Sequence, residues 1–218
     1  MFRLRRNRLR YFAYWQRSVK LIGVLTFGVS LRRRPPRKPL ADELRVMSDD
    51  AKQLSTRQQA NTILSQIVGL PLTAARRAAD MRTLQFGSLC PVGGGSVGDF
   101  ALHIQCPWRI EGPNGIVTGR LDLWEPVEED MKIDYETWDY DESPNLQDFR
   151  LDQLLAQNGL SLVVQSVDTD EFGGANITFD HGFVLRLFPA GTRGEDWRLF
   201  EPKTDNPHFV IVQGQIET

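Results

Sequence analysis

Over most of the chain beyond residue 80, apolar and polar residues alternate in short runs separated by Gly, Pro, Asn and Asp. That is the pattern of half-buried antiparallel strands joined by turns. It predicts strands over Met81–Leu89 and Ile116–Leu123, then near 161–168, 174–180, 183–189, 196–200 and 208–214. Phe100, Leu102, Ile104, Cys106 and Trp108 share one face of another, with Ala101, His103 and Gln105 on the other face. Pro113-Asn114-Gly115 reads as a tight turn between two of these strands. Helical spacing occurs twice. Ser55-Thr56-Arg57-Gln58 has the form of a capping box, Leu54, Ile63, Leu64, Ile67 and Val68 fall at helical spacing, and Gly69 with Pro71 ends that helix. Asn145 or Asp148 caps a second helix carrying Phe149, Leu151, Leu154 and Leu155, closed by Asn158-Gly159. Residues 72–79 read either as strand or as helix. Gly93-Gly94-Gly95-Ser96 and the segment 125–145 are expected to be long loops.

The strand pattern returns on itself. Gly69-Leu70-Pro71-Leu72, Leu84-Gln85-Phe86, Phe100–Ile104 and Trp108-Arg109-Ile110 are echoed by Gly159-Leu160-Ser161-Leu162, Ile177-Thr178-Phe179, Phe183–Leu187 and Trp197-Arg198-Leu199. The expected architecture is therefore α+β: mainly antiparallel sheet from two related meander-like halves, about 69–124 and 159–214, with two short helices. In each copy the Trp is expected to face inward and the Arg outward.

Charge divides the chain differently. Residues 1–46 hold 13 Lys+Arg against 2 Asp+Glu, a surplus of +11; residues 47–218 hold 13 against 26, a surplus of −13. Three readings of the basic part stay open: an arm for nucleic acid or an anionic surface, a weak membrane anchor, and an extension upstream of a domain that starts at Met47. Its apolar run, Leu21–Leu31, is about half the roughly 20 residues a membrane span needs, so no transmembrane span is expected. On this reading 47–218 forms a single domain. Its negative charge argues against nucleic acid as a partner and allows a basic protein. Two cysteines without a CxxC pair fit a reducing, cytoplasmic setting.

The most uneven stretch is Asp122–Glu142, with ten acidic residues against Lys132 alone, and with Tyr135, Trp138 and Tyr140 interleaved. Carboxylates beside aromatic rings make a surface that anchors through the rings and complements a basic partner. Glu128, Glu129, Asp134, Tyr135, Trp138, Asp139, Tyr140 and Asp141 are the candidate partner-binding residues. The plainer alternative is a solvated loop whose aromatics pin it to the body. Enzymatic constellations are weak. Cys106 and His103 lie three apart on a strand and point to opposite faces, and nothing has metal-ligand spacing, so neither metal nor cofactor is expected. His103, Arg109 and Arg198 are the candidates for a small-ligand cleft.

Phe100–Ile110, Trp138-Asp139-Tyr140-Asp141, Phe188-Pro189-Ala190-Gly191, Trp197-Arg198 and His208-Phe209-Val210 together resemble a group of bacterial proteins of unknown function, from about Gly69 onward. More loosely, the strand pattern is similar to small β-rich proteins proposed as immunity partners of bacterial toxins. The resemblance implies no catalytic residues. The expectation is a protein that acts by binding another protein, in particular by neutralising a toxin. The alternative is an enzyme or small-ligand binder using His103, Arg109 and Arg198.

Overall fold

The computed structural model describes residues 55–127, 138–156 and 161–217. Residues 1–46 and the start at Met47 lie outside them, as does the Asn158-Gly159 helix stop. The chain divides into two units, 53–131 with 139–218, and 1–52 with 132–138. The described residues, Trp138 apart, belong to the first.

Helix α1 spans Thr56–Leu64, with the expected capping box: the Ser55 hydroxyl accepts from Gln58 N, and the Gln58 side chain accepts from Ser55 N. A 3₁₀ turn, Ser65–Ile67, follows and buries Ile67. The ambiguous stretch is a strand, β1 (Leu72–Ala78), paired antiparallel with β2 (Met81–Phe86). The glycine-rich stretch expected as a long loop is instead the tip of a hairpin, β3 (Cys90–Val92) and β4 (Gly95–Val97), because Gly93 and Gly94 supply the two positive φ angles of its turn.

The alternation from Phe100 to Trp108 is not one strand. β5 (Phe100–Ile104) and β6 (Trp108–Gly112) lie in different sheets. The crossing falls where Gln105 N and Cys106 N both donate to Asp196 O and Pro107 has no N–H to continue a ladder. β7 (Gly115–Gly119) stops short of the expected Leu123, since Asp122 accepts from Thr118 Oγ1 (2.9 Å) and Gly119 N (3.3 Å) and winds Arg120–Trp124 into a 3₁₀ segment.

Helix α2 runs from Leu146 to Ala156. Asn145 and Asp148 cap it reciprocally: Asn145 Oδ1 accepts from Asp148 N, and its Nδ2 donates to Asp148 Oδ2, both at 2.8 Å. Leu151 and Leu154 fix its buried face, and Phe149, two residues from Leu151 and therefore on the far side, is exposed. The remaining strands are β8 (Val164–Thr169), β9 (Ala175–Phe179), β10 (Val184–Leu187), β11 (Glu195–Phe200), β12 (Phe209–Val212) and β13 (Gln215–Ile216).

All neighbours pair antiparallel, in a six-stranded sheet β1-β2-β5-β11-β12-β13 and a five-stranded sheet β7-β6-β10-β9-β8. The fold is α+β and mostly antiparallel sheet. Strands from 69–124 are divided: β1, β2 and β5 enter the first sheet, β6 and β7 the second. The later strands are divided the other way. One apolar core, with Phe86, Leu102, Ile104, Trp108, Ile177, Leu185 and Trp197, is shared by both sheets and reached by Leu64 of α1 and Leu154 of α2. α1 packs on β8, whereas α2 packs on β1 and β7. Among the described residues no helix is long and apolar enough to cross a membrane.

Candidate functional site at the neck of the acidic segment

The described flanks of the acidic segment, 124–127 and 138–146, are held together in a neck. Pro126 bridges to Asn145, Leu146 N donates to Glu125 O (2.8 Å), and the Trp124 ring stands edge-on to Tyr140, centroids 4.5 Å apart. Arg77, from β1, reaches across. Its Nη2 donates to Tyr140 O (2.8 Å), its Nη1 pairs with Asp141, and its Cζ lies 5.6 Å from the centre of the Tyr140 ring. Of the candidate residues, Asp139 is exposed, Tyr140 is half-buried, and the Asp141 side chain is half-exposed while paired with Arg77. Trp138 is half-buried. Glu128, Glu129, Asp134 and Tyr135 lie outside the described residues. Tyr140 and Asp141 thus belong to the fastening of the segment.

Behind the neck lies a polar network that the sequence reading missed. Arg82, only 2% exposed, pairs with Asp148 Oδ1 (2.7 Å) and donates to Gln147 Oε1; its Nε has no partner among the described residues. Asp148 also accepts from Arg77 Nε (2.7 Å), and Gln147 Nε2 donates to Gly119 O (2.9 Å). Burial alone raises the Asp148 pKa, but Arg77, Arg82 and Asn145 outweigh it and hold the carboxyl below its usual range. Burial lowers that of Arg82, opposed by Asp148. A signal did exist: Arg82 shares parity with the inward Leu84 and Phe86, and an Arg at such a position needs a partner.

The small-ligand candidates divide. His103 (β5) and Arg198 (β11) face each other in the six-stranded sheet. Arg198 is held by Glu195, with Nε to Oε1 at 2.7 Å, and its Nη1 lies 3.4 Å from His208 Nδ1. His103 meets Phe200 edge-on at 4.8 Å, and Phe200 stacks on His208 at 4.1 Å. Burial, then the charge of Arg198, pushes the His103 pKa down. Arg109 belongs to the other sheet, where it pairs with Glu111 (2.7 Å) and lies over Phe188 (4.9 Å), beside Arg186 on the same Glu111. The three do not line one cleft. An open groove of about 330 Å³, at the low end of ligand-site volumes, lies elsewhere, between the β6–β7 hairpin, Phe183 and the Arg150–Leu154 stretch of α2. Cys106 is buried, and burial beside Asp196 pushes its thiol up to about 12, which removes it as a nucleophile at neutral pH.

The neck itself carries large exposed apolar side chains: Leu121 (77% exposed), Trp124 (43%) and Phe149 (40%). The first two come from the 3₁₀ segment, the third from the helix packed on it. Phe149 lies one turn from Gln153, which lines the groove. No family model, no curated protein and no solved structure matches the chain.

Proposed function

We propose that the protein acts by binding another protein, with the segment 122–142 as the electrostatic half of the contact and Leu121, Trp124 and Phe149 as its apolar anchor. The carrying observation is the coincidence of the two: exposed large side chains sit at the fixed neck of a segment of net charge −9. Aromatic anchors supply binding energy, while the surrounding charge sets partner choice and association rate. A basic partner fits, and neutralising a basic toxin in the cytoplasm is the particular form of this reading.

The test separates the halves of the contact. E128Q/E129Q/D130N/D134N removes charge without touching Asp141 or Arg77, and L121A removes part of the anchor while leaving the Trp124–Tyr140 contact in place. Cross-linked partners captured by the intact chain in its native cells are identified, and association with the purified partner is followed against salt. The charge variant should associate more slowly and lose much of the salt dependence; L121A should dissociate faster. Equal kinetics for all three proteins, or capture of acidic partners, would remove the proposal.

We further read 69–124 and 159–214 as related halves. What supports this is register. Leu84 faces Leu102 as Ile177 faces Leu185; Ile104 faces Trp197 as Leu187 faces Trp108; Arg198 faces Val210 as Arg109 faces Gly119. The pairing shifts register after Leu72 in one ladder and after Val164 in the other. The equivalence therefore matches Leu72 with Val164, two residues from the alignment of the Gly-Leu-x-Leu segments.

A further inference from the structure

We infer that the contact between residues 55–127 and residues 139–217 is a complete protein–protein interface, and that a second copy of this chain can supply either side of it.

Neither stretch closes its own sheet. β5 presents Ala101–Ile104 to β11, and β10 presents Val184–Leu187 to β6, with four paired residues in each ladder. Without the other stretch both central strands would carry open edges, and two or three strands with an uncovered apolar face are marginal in water. Trp197, fully buried, lies opposite Ile104 of the other stretch, and Trp108 opposite Leu187.

The helices are crossed as well. α1 packs on β8, where Thr169 Oγ1 donates to Arg57 O (2.9 Å); α2 packs on β1, where Arg77 Nε donates to Asp148 (2.7 Å). Between the sheets the two stretches exchange a reciprocal pair of bonds, Leu72 N to Leu162 O (2.8 Å) and Val164 N to Leu70 O (3.0 Å), around the Pro71–Val163 bridge. Each of these contacts is made between non-covalently apposed groups, and the covalent connection takes part in none of them. A stretch from another copy offers the same donors, acceptors and apolar faces, so the interface forms between chains under the same rules as within one.

The experiment starts from the full chain with a protease site placed between residues 130 and 134. After cutting, the pieces should co-elute at the mass of the intact chain, keep its circular dichroism, and melt at a temperature that rises with protein concentration, as a bimolecular complex does. Two differently tagged preparations, cut, unfolded together and refolded, should yield mixed-tag pairs at the statistical fraction. Pieces that separate under native conditions, a single piece that keeps the native near-ultraviolet spectrum, or refolded pairs that never mix tags would each overturn the inference. A chain carrying I104D, cut and refolded in the same way, should fail to pair with the C-terminal piece of the cut wild-type chain; undiminished pairing would equally count against it.

Discussion

Asp148→Asn is the most revealing single change, because it keeps the shape of the side chain and removes the charge that two arginines share. Arg82 is 2% exposed, with Nε already without a partner among the described residues, so it cannot turn to water when Asp148 loses its charge. Breaking one side of a buried ion pair costs about 3–5 kcal/mol. Asp148 is itself one-third exposed, which places the expected loss at the lower end, about 3 kcal/mol. With a urea m-value of about 2 kcal/mol/M, the unfolding midpoint should fall by roughly 1.5 M at pH 7. The pH dependence carries the sign. The native carboxyl is held below its ordinary value, so its contribution is fully present above about pH 4 and is lost as pH falls through the depressed native pKa. The acid limb of the stability curve should be steeper in the wild-type protein than in D148N. Adding Arg82→Met to D148N removes the stranded charge and should restore part of the loss. A D148N midpoint within 0.5 M of wild type, or a double variant weaker than D148N, would refute this account of the network (~1 kcal/mol at the same m-value).

Trp197→Ala should cost about 3–5 kcal/mol, as large aromatic truncations in a core do, because the ring is fully buried and its Nε1 donates to Gly173 O at 2.7 Å; urea unfolding checks it, and a loss near 1 kcal/mol would contradict the burial. Iodoacetamide at pH 8 should modify Cys90 in the native protein and spare Cys106 until unfolding, since the latter is 4% exposed with its thiol pushed up to about 12. Intact-mass analysis reads this directly, and equal labelling rates would place Cys106 at the surface.

Local chemistry was the legible part of this chain. The capping box at Ser55 and the Pro113-Asn114 turn are short-range signals, and both elements form where the residues ask for them. His181 sits at φ 55° in the Asp180–Gly182 turn, a conformation in which His is tolerated. The change of sheet at Gln105–Pro107 was not legible, because the alternation of buried residues runs on through Cys106 and Trp108 while the hydrogen-bond partners change. Phe149 misled for a related reason: composition marks it as core, but only its angle to Leu151 and Leu154 decides which side it faces. At the candidate site, Tyr140 and Asp141 stood out by charge and ring. Arg77, which fastens both, sits 63 and 64 residues earlier, and no spacing rule reaches that far.

The crossing of strands between the sheets also sets a timetable for synthesis. Ile104 pairs with Trp197, 93 residues later, and Ile110 with Leu185, 75 later. At about 5–20 residues per second of translation, β5 waits roughly 5–20 s for the strand that closes its edge. Through that interval Leu102 and Ile104 stand on an open edge, a template for pairing with any other extended chain. High separation between partners also makes the final closure slow relative to a helical domain of this size. A nascent chain of this topology therefore carries the β5 edge unpaired for those seconds, a hazard set by the order of synthesis and not by the stability of the finished fold.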